Sequence, residues 1–161
     1  MTIRTRTGNW YETKIRYERT MEDGLQKKVT EKYVVDALSH TEAEERITEE
    51  MSSYISGEYE VTGIVPASYH EVIFSDDEQA DRYFKAKLQF ITQDERTGKE
   101  KRSNTYYLVQ AATFNGAVKA IHDVMGGTMI DYVIASVAET QIMDCFEYAS
   151  KKGRENAQKQ Q

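Results

Sequence analysis

The sequence predicts an α+β fold made by tandem duplication of a β-β-α-β-β unit. Three observations predict it: an internal repeat, pairs of segments that alternate apolar and polar residues, and a helical apolar stripe after each pair. We expect antiparallel sheets, one helix packed per repeat, and a pseudo-two-fold axis between the halves. The prediction is a single domain over residues 9–147 with repeats at 9–75 and 82–147, followed by a polar flexible tail at 148–161.

The internal repeat is visible when the sequence is compared with itself. A shift of 73 positions aligns Trp10-Tyr11 with Tyr83-Phe84, and a shift of 74 aligns Tyr33-Val34-Val35 with Tyr107-Leu108-Val109. The apolar positions stay in phase through strands and helix alike. This agreement predicts a duplication, and the segment Asp76 to Asp81 would join the copies.

Each copy begins with a predicted hairpin. Apolar or small residues alternate with charged ones in the first strand of each copy, with the period of two that is typical of a half-buried strand. The polar segments Met21 to Gly24 and Asp94 to Gly98 supply the turns. The predicted core-facing residues are Tyr11, Thr13, Ile15, Tyr17, Tyr33, Val35 and Ala37 in the first copy and Phe84, Ala86, Leu88, Phe90, Tyr107, Val109 and Ala111 in the second.

A helix is predicted after each hairpin. Thr41 and Glu44 have the spacing of a capping box, and Asn115 takes the N-cap position in the second copy. Apolar residues then recur at helical spacing, and Gly126-Gly127 ends the second helix. The remaining predicted strands are 58–65 and 72–74 in the first copy and 130–138 and 142–146 in the second.

Composition excludes several classes of protein. The 161 residues have a net charge of −6, 39% hydrophobic and 11% aromatic residues, and only one Cys and one Pro. No apolar run approaches the roughly 18 residues that a spanning helix needs. The aromatic residues can build a hydrophobic core, which argues against a disordered chain. A single Cys cannot form an internal disulfide. With no secretory signal at the N-terminus, we expect a cytoplasmic protein.

Enzyme motifs are missing from the sequence, so we expect neither catalysis nor a bound cofactor or metal. Phosphate-binding loops, nucleophile elbows and paired C-x-x-C motifs do not occur. His122-Asp123 is a weak metal-hydrolase signal inside a predicted helix. Cys145 lies in an apolar run and is predicted to be a buried structural thiol, and the acidic linker lacks the spacing of a calcium loop.

The two predicted hairpins are cationic, although the whole chain is acidic. Residues 1–36 have eight Lys or Arg against six Asp or Glu, and residues 82–107 have seven against three. Aromatic and basic residues alternate on the strand faces opposite the predicted core, as in proteins that bind single-stranded nucleic acid. The candidate nucleic-acid-binding residues are Trp10, Lys14, Arg16, Lys32, Tyr83, Lys85, Lys87 and Tyr106.

Other interpretations of these faces stay open. Aromatic residues are common in strands, and Lys on an exposed strand protects it from aggregation. Trp10, Tyr83 and Val34 would also suit a homodimer interface. The sequence pI near 5.2 argues against nucleic acid, because nucleic-acid-binding domains are usually basic.

Several segments resemble an uncharacterised family of domains of unknown function that is found in gut anaerobic bacteria and in their phages and mobile elements. The segments with this resemblance are Trp10-Tyr11, Gln26–Glu31, Val35–Glu44 and Ala135–Asp144. The resemblance covers roughly residues 9–147 and implies a small cytoplasmic accessory protein encoded by a phage. It implies no catalytic or binding residue.

Three functions remain as expectations. The first is a non-catalytic phage protein that binds single-stranded DNA or RNA. The second is an oligomeric sponge or inhibitor that acts against host defence by enclosing a nucleotide signal or covering a host protein, and the third is a structural module.

Overall fold

The computed structural model describes residues 2–147, which divide into two compact units. We name each unit after its hairpin. The β2–β3 unit, with β2 at Trp10–Thr20 and β3 at Gln26–Asp36, contains residues 8–67 and 141–147. The β6–β7 unit, with β6 at Arg82–Gln93 and β7 at Glu100–Ala111, contains residues 2–7 and 68–140. Both units are α+β, as predicted. The predicted flexible tail at 148–161 lies outside the described residues.

The β2–β3 unit is a four-stranded sheet with one helix. Its strands lie in the order β4-β2-β3-β9, and α1 packs on one face. The bounds are β2 (Trp10–Thr20), β3 (Gln26–Asp36), α1 (His40–Tyr54), β4 (Tyr59–Pro66) and β9 (Ile142–Phe146).

The β6–β7 unit has the same spatial arrangement of strands with one additional edge strand. Its sheet order is β1-β5-β7-β6-β8, and α2 packs on one face. The bounds are β1 (Ile3–Arg6), β5 (Tyr69–Ser75), β6 (Arg82–Gln93), β7 (Glu100–Ala111), α2 (Phe114–Gly126) and β8 (Asp131–Glu139).

The prediction of purely antiparallel sheets is wrong, because each sheet is mixed. The pairs β3–β9 and β5–β7 are parallel, whereas the other neighbours are antiparallel. The last strand of each predicted repeat lies in the sheet that contains the hairpin of the other predicted repeat. Parallel neighbouring strands are joined by a long connection. A local sequence pattern can therefore show that a short apolar run is a strand, but it does not show which strand it pairs with.

Both hairpins form where the sequence predicts them. Tyr11 pairs with Val35 across the first, and Phe84 pairs with Val109 across the second. Gly24 and Gly98 have φ values of 80° and 69°. These values lie in the left-handed region that glycine adopts at little cost, so both turns depend on their glycine.

The N-cap of each helix lies two residues before the predicted one. Ser39, not Thr41, is the N-cap of α1, and its side chain accepts a 3.1 Å hydrogen bond from the Glu42 amide. Thr113, not Asn115, caps α2 and accepts a 3.0 Å bond from the Gly116 amide. Each region offers two good capping residues, so the side-chain type alone does not select between them.

Each unit has its own hydrophobic core between the sheet and the helix. The cores contain the predicted core-facing strand residues together with the helical stripe. In the β2–β3 unit the buried core residues are Ile15, Tyr33, Val35, Ala37, Ala43, Ile47 and Met51. In the β6–β7 unit they are Ile73, Phe84, Ala86, Leu88, Tyr107, Val109, Ala111, Ala117, Ala120, Ile121 and Met125.

Two core tyrosines have hydroxyl groups that resist ionisation. Burial, reinforced by the charge of Glu71, raises the pKa of Tyr107 to about 12, and its hydroxyl donates a bond to Met125 Sδ at 3.9 Å. Burial also raises the pKa of Tyr33, and the charge of Glu31 and its hydrogen bond from the Tyr33 hydroxyl add to the effect. The folded protein therefore holds both protons more tightly than the unfolded chain does.

We expect the free energy of unfolding to fall as the pH rises above about 10, where an unfolded tyrosine loses its proton. The loss should continue to about pH 12, the pKa of folded Tyr107, because the unfolded state binds fewer protons throughout this range. Urea denaturation at a series of pH values measures it. Tyr107→Phe and Tyr33→Phe should each reduce the alkaline loss, and Tyr54→Phe at an exposed position controls for loss of a hydroxyl. Equal alkaline loss in all variants would contradict the prediction.

Candidate functional site

Two of the predicted nucleic-acid-binding residues are buried, and the expectation that they face solvent is wrong. Trp10 and Tyr83 are each 2% exposed. Trp10 pairs with Asp36 and Tyr83 with Gln110, at the end of each sheet that contains the continuously buried residues 33–36 of β3 and 107–109 of β7. Unbroken apolar runs are typical of strands that are buried on both faces. Neither ring is accessible for a base to stack on.

The other six predicted residues keep an exposed or half-buried position on the sheet face opposite the helix. Lys14, Arg16 and Lys85 are exposed, whereas Lys32, Lys87 and Tyr106 are half-buried. They form two groups, one in each unit. Lys14, Arg16 and Lys32 form the first cluster, and Lys85, Lys87 and Tyr106 form the second cluster.

In the first cluster two lysines lie directly opposite each other. Lys14 on β2 pairs with Lys32 on β3, so their Cβ atoms are neighbours on one face. On the other side of Lys14 is Gly63 of β4, where an added Cβ would lie 3.7 Å from Lys14 Cδ. Within the described part of the chain neither lysine forms an ion pair. Two like charges at this spacing repel, and a bound anion would relieve the repulsion.

The second cluster combines cations with an aromatic ring. Lys85 Nζ lies 5.0 Å from the ring centroid of Tyr106 and 5.9 Å from that of Tyr69. Lys87 is directly opposite Tyr106 in the β6–β7 register. An ammonium group over a ring face is attracted by the ring's quadrupole, so Lys85 is held over the Tyr106 ring.

Polar residues outside the predicted site continue this face. Arg102 Nη1 donates a 3.3 Å bond to Gln89 Oε1, and Gln89 Nε2 donates a 3.2 Å bond to Asn104 Oδ1. Gln89 and Asn104 are direct cross-strand partners. Their positions continue the alternation of Lys85, Lys87 and Tyr106, so extending that spacing by one step along each strand would have found them.

The candidates for metal or thiol chemistry, His122 and Cys145, have surroundings that fit a structural role. His122 Nδ1 lies 2.5 Å from the Tyr132 hydroxyl, between α2 and β8. Cys145 is buried as predicted. From residue 2 to 147, no group of three or more His, Cys, Asp or Glu side chains is arranged to hold a metal ion. The helices of that part of the chain are too short or too polar to cross a membrane.

Comparison with known proteins identifies a family without assigning a chemistry. Neither the curated proteins nor the solved structures contain a significant match to the chain. One family model, described as a domain of unknown function, matches residues 9–148 and so covers most of the sequence. The chain therefore belongs to the DUF4494 family of domains of unknown function.

Proposed function

We propose that the protein binds single-stranded nucleic acid without catalysis, through the two lysine-containing sheet faces. The observation that carries the proposal is the second cluster, where Lys85 Nζ lies 5.0 Å from the Tyr106 ring and Lys87 is directly opposite that ring. Bases stack on aromatic rings while ammonium groups contact phosphates, and this combination requires no particular sequence. An accessory role in a phage or mobile element is supported by the resemblance of the sequence segments to the family that occurs there.

The first cluster supports the same proposal from its charges. Lys14 and Lys32 face each other with no anionic partner in the described residues, and Arg16 follows on the same strand face. A phosphate group between the two lysines would reduce their repulsion. The first cluster has no exposed ring, because Trp10 is buried, so we assign it to phosphate contacts and assign base stacking to Tyr106.

We also propose that the chain arose by tandem duplication, so that the two faces are copies of one ancestral surface. The register of β4 skips Thr62, and the register of β8 skips Ala135, which is 73 positions later. The register of β5 skips His70, and that of β9 skips Met143, again 73 positions apart. Related folds keep their β-bulges, so irregularities at equivalent positions of the two halves support a common origin.

Binding is tested by fluorescence anisotropy with a labelled oligo(dT) strand at low salt. Tyr106→Leu should weaken binding by roughly 5- to 150-fold, because stacking contributes about 1–3 kcal/mol per base. Tyr106→Phe keeps the ring and should bind like the native chain. Equal affinities for these two variants would show that no base stacks on Tyr106.

The phosphate contacts are tested by the salt dependence of the same titration. Lys85→Gln and Lys87→Gln should each reduce the slope of log affinity against log salt by roughly 0.7, the value for one phosphate of a single strand. Lys119→Gln, at an exposed position on α2, removes the same charge outside the faces and should leave the slope unchanged. Absence of binding at low salt would overturn the proposed function.

A further inference from the structure

Strand β8 forms a long open edge of the sheet in the β6–β7 unit. It has nine residues, and among the described strands it pairs only with β6. Its sequence contains no Lys, Arg or Pro, and its only charged residues are Asp131 and Glu139 at the two ends. Apart from the irregularity at Ala135, the edge presents unpaired backbone groups that another strand can bind.

Exposed apolar side chains concentrate along the same edge. Within the described part of the β6–β7 unit, every large apolar side chain that is exposed lies on α2, on β8 or between them: Phe114, Met129, Ile130 and Val133. Met129 is fully exposed. Beside them is an open groove of about 740 Å³, lined by residues that include Val118, Tyr132 and Val137. A patch of this kind marks an interaction surface.

We propose that this edge binds β8 of a second copy of the chain, so that two sheets join antiparallel across a two-fold axis at Val133. The proposal goes beyond nucleic-acid binding and does not depend on it. A two-fold interface must be complementary to itself, and β8 satisfies this requirement because its central residues are uncharged. Backbone hydrogen bonds between the two β8 strands would pair the open edges of both copies.

Charge favours this register over one centred on Ala135. Pairing centred on Ala135 would place Asp131 opposite Glu139 of the second copy, which is unfavourable because like charges face each other. Centring on Val133 removes that pair. It also brings Tyr132 of one copy opposite Ile134 of the other on the helix-facing side, so the apolar grooves that these residues line adjoin across the axis.

The oligomeric state in solution tests the proposal. Light scattering after size exclusion, without nucleic acid, should give the mass of a dimer for the native chain and of a monomer for Val133→Lys and for Val133→Glu. Each substitution places two like charges at the two-fold axis. An equimolar mixture of the two variants should restore the dimer mass, because opposite charges then face each other.

A matched control uses the edge of the other sheet. Val65 on β4 is an exposed valine, and Val65→Lys should leave the dimer intact. A monomeric native chain would overturn the proposal and leave the β8 edge to a strand from a different protein. A dimer that persists in Val133→Lys would place the interface elsewhere. A mixture that stays monomeric would show that Val133 does not face itself.

Discussion

Replacing Arg46 by alanine is expected to lower the free energy of unfolding by about 3–5 kcal/mol. The Arg46 side chain is 9% exposed and extends from α1 to the end of β3. Its Nη1 donates to the Asp36 carbonyl and lies 3.4 Å from Asp36 Oδ1, and its Nη2 contacts the Glu42 carboxylate. Removing the guanidinium leaves a buried carboxylate that has lost this partner, which costs more than the ion pair itself contributes.

This loss is large compared with the total stability of a domain. Domains are stable by only about 5–15 kcal/mol, so Arg46→Ala would remove a large share of the total. Urea denaturation followed by circular dichroism measures the change, and Arg19→Ala at an exposed position on β2 should stay within about 0.5 kcal/mol of the native chain. Lysine cannot contact Asp36 and Glu42 with a planar fork, so Arg46→Lys should recover only part of the loss.

A double variant shows whether the buried charge is the cause. If the Asp36 carboxylate accounts for the cost, Asp36→Asn should be less damaging in the Arg46→Ala background than in the native chain. Additive effects of the two substitutions would contradict this account. So would a loss of less than about 1 kcal/mol for Arg46→Ala, the range of exposed ion pairs.

Strand alternation was sufficient to predict much of each unit. Tyr11, Ile15 and Tyr17 pack towards the helix as their spacing indicates, and the turns at Gly24 and Gly98 form as predicted. Backbone sterics and the contrast between charged and apolar side chains act within a few residues. Local patterns therefore contain the information that determines hairpins and helices.

The partners of the short strands depend on contacts far along the chain. Val72–Phe74 is apolar and forms a strand, yet its pairing with β7 depends on a parallel register that no local pattern encodes. The four-residue strand β1 was not predicted at all. Its alternating Ile, Arg, Thr and Arg residues are too few to distinguish an edge strand from a polar terminus.

The lysines of the candidate site were easier to place than its aromatic residues. A lysine is rarely buried without a partner, so the positions of Lys14 and Lys85 on the open part of each face follow from their chemistry. Alternation assigns Trp10 and Tyr83 to the face opposite the helix, but it does not say whether that face is covered. The unbroken apolar run Tyr33-Val34-Val35 on the neighbouring strand indicates that this face is covered.

The burial of Trp10 predicts a second large effect on stability. Trp10→Ala is expected to cost about 3–5 kcal/mol, the usual range for removing a buried aromatic side chain. The indole is 2% exposed, and an added Cβ at Gly8 would lie 3.3 Å from Trp10 Cε2, so the ring has close neighbours that would line a cavity. Trp10→Phe keeps most of the volume and should lose less. Chemical denaturation measures both.

Trp10 is the only tryptophan in the chain, so its fluorescence tests the same burial independently of stability. We expect emission at short wavelength and resistance to quenching by acrylamide in the native protein, with both lost on unfolding. Saturating oligo(dT) should leave the emission unchanged, because the ring is not accessible to a base, and Trp10→Phe should bind the oligonucleotide with native affinity. Quenching of Trp10 by the bound strand would instead place a base on this ring and move the stacking site from Tyr106 to the first hairpin.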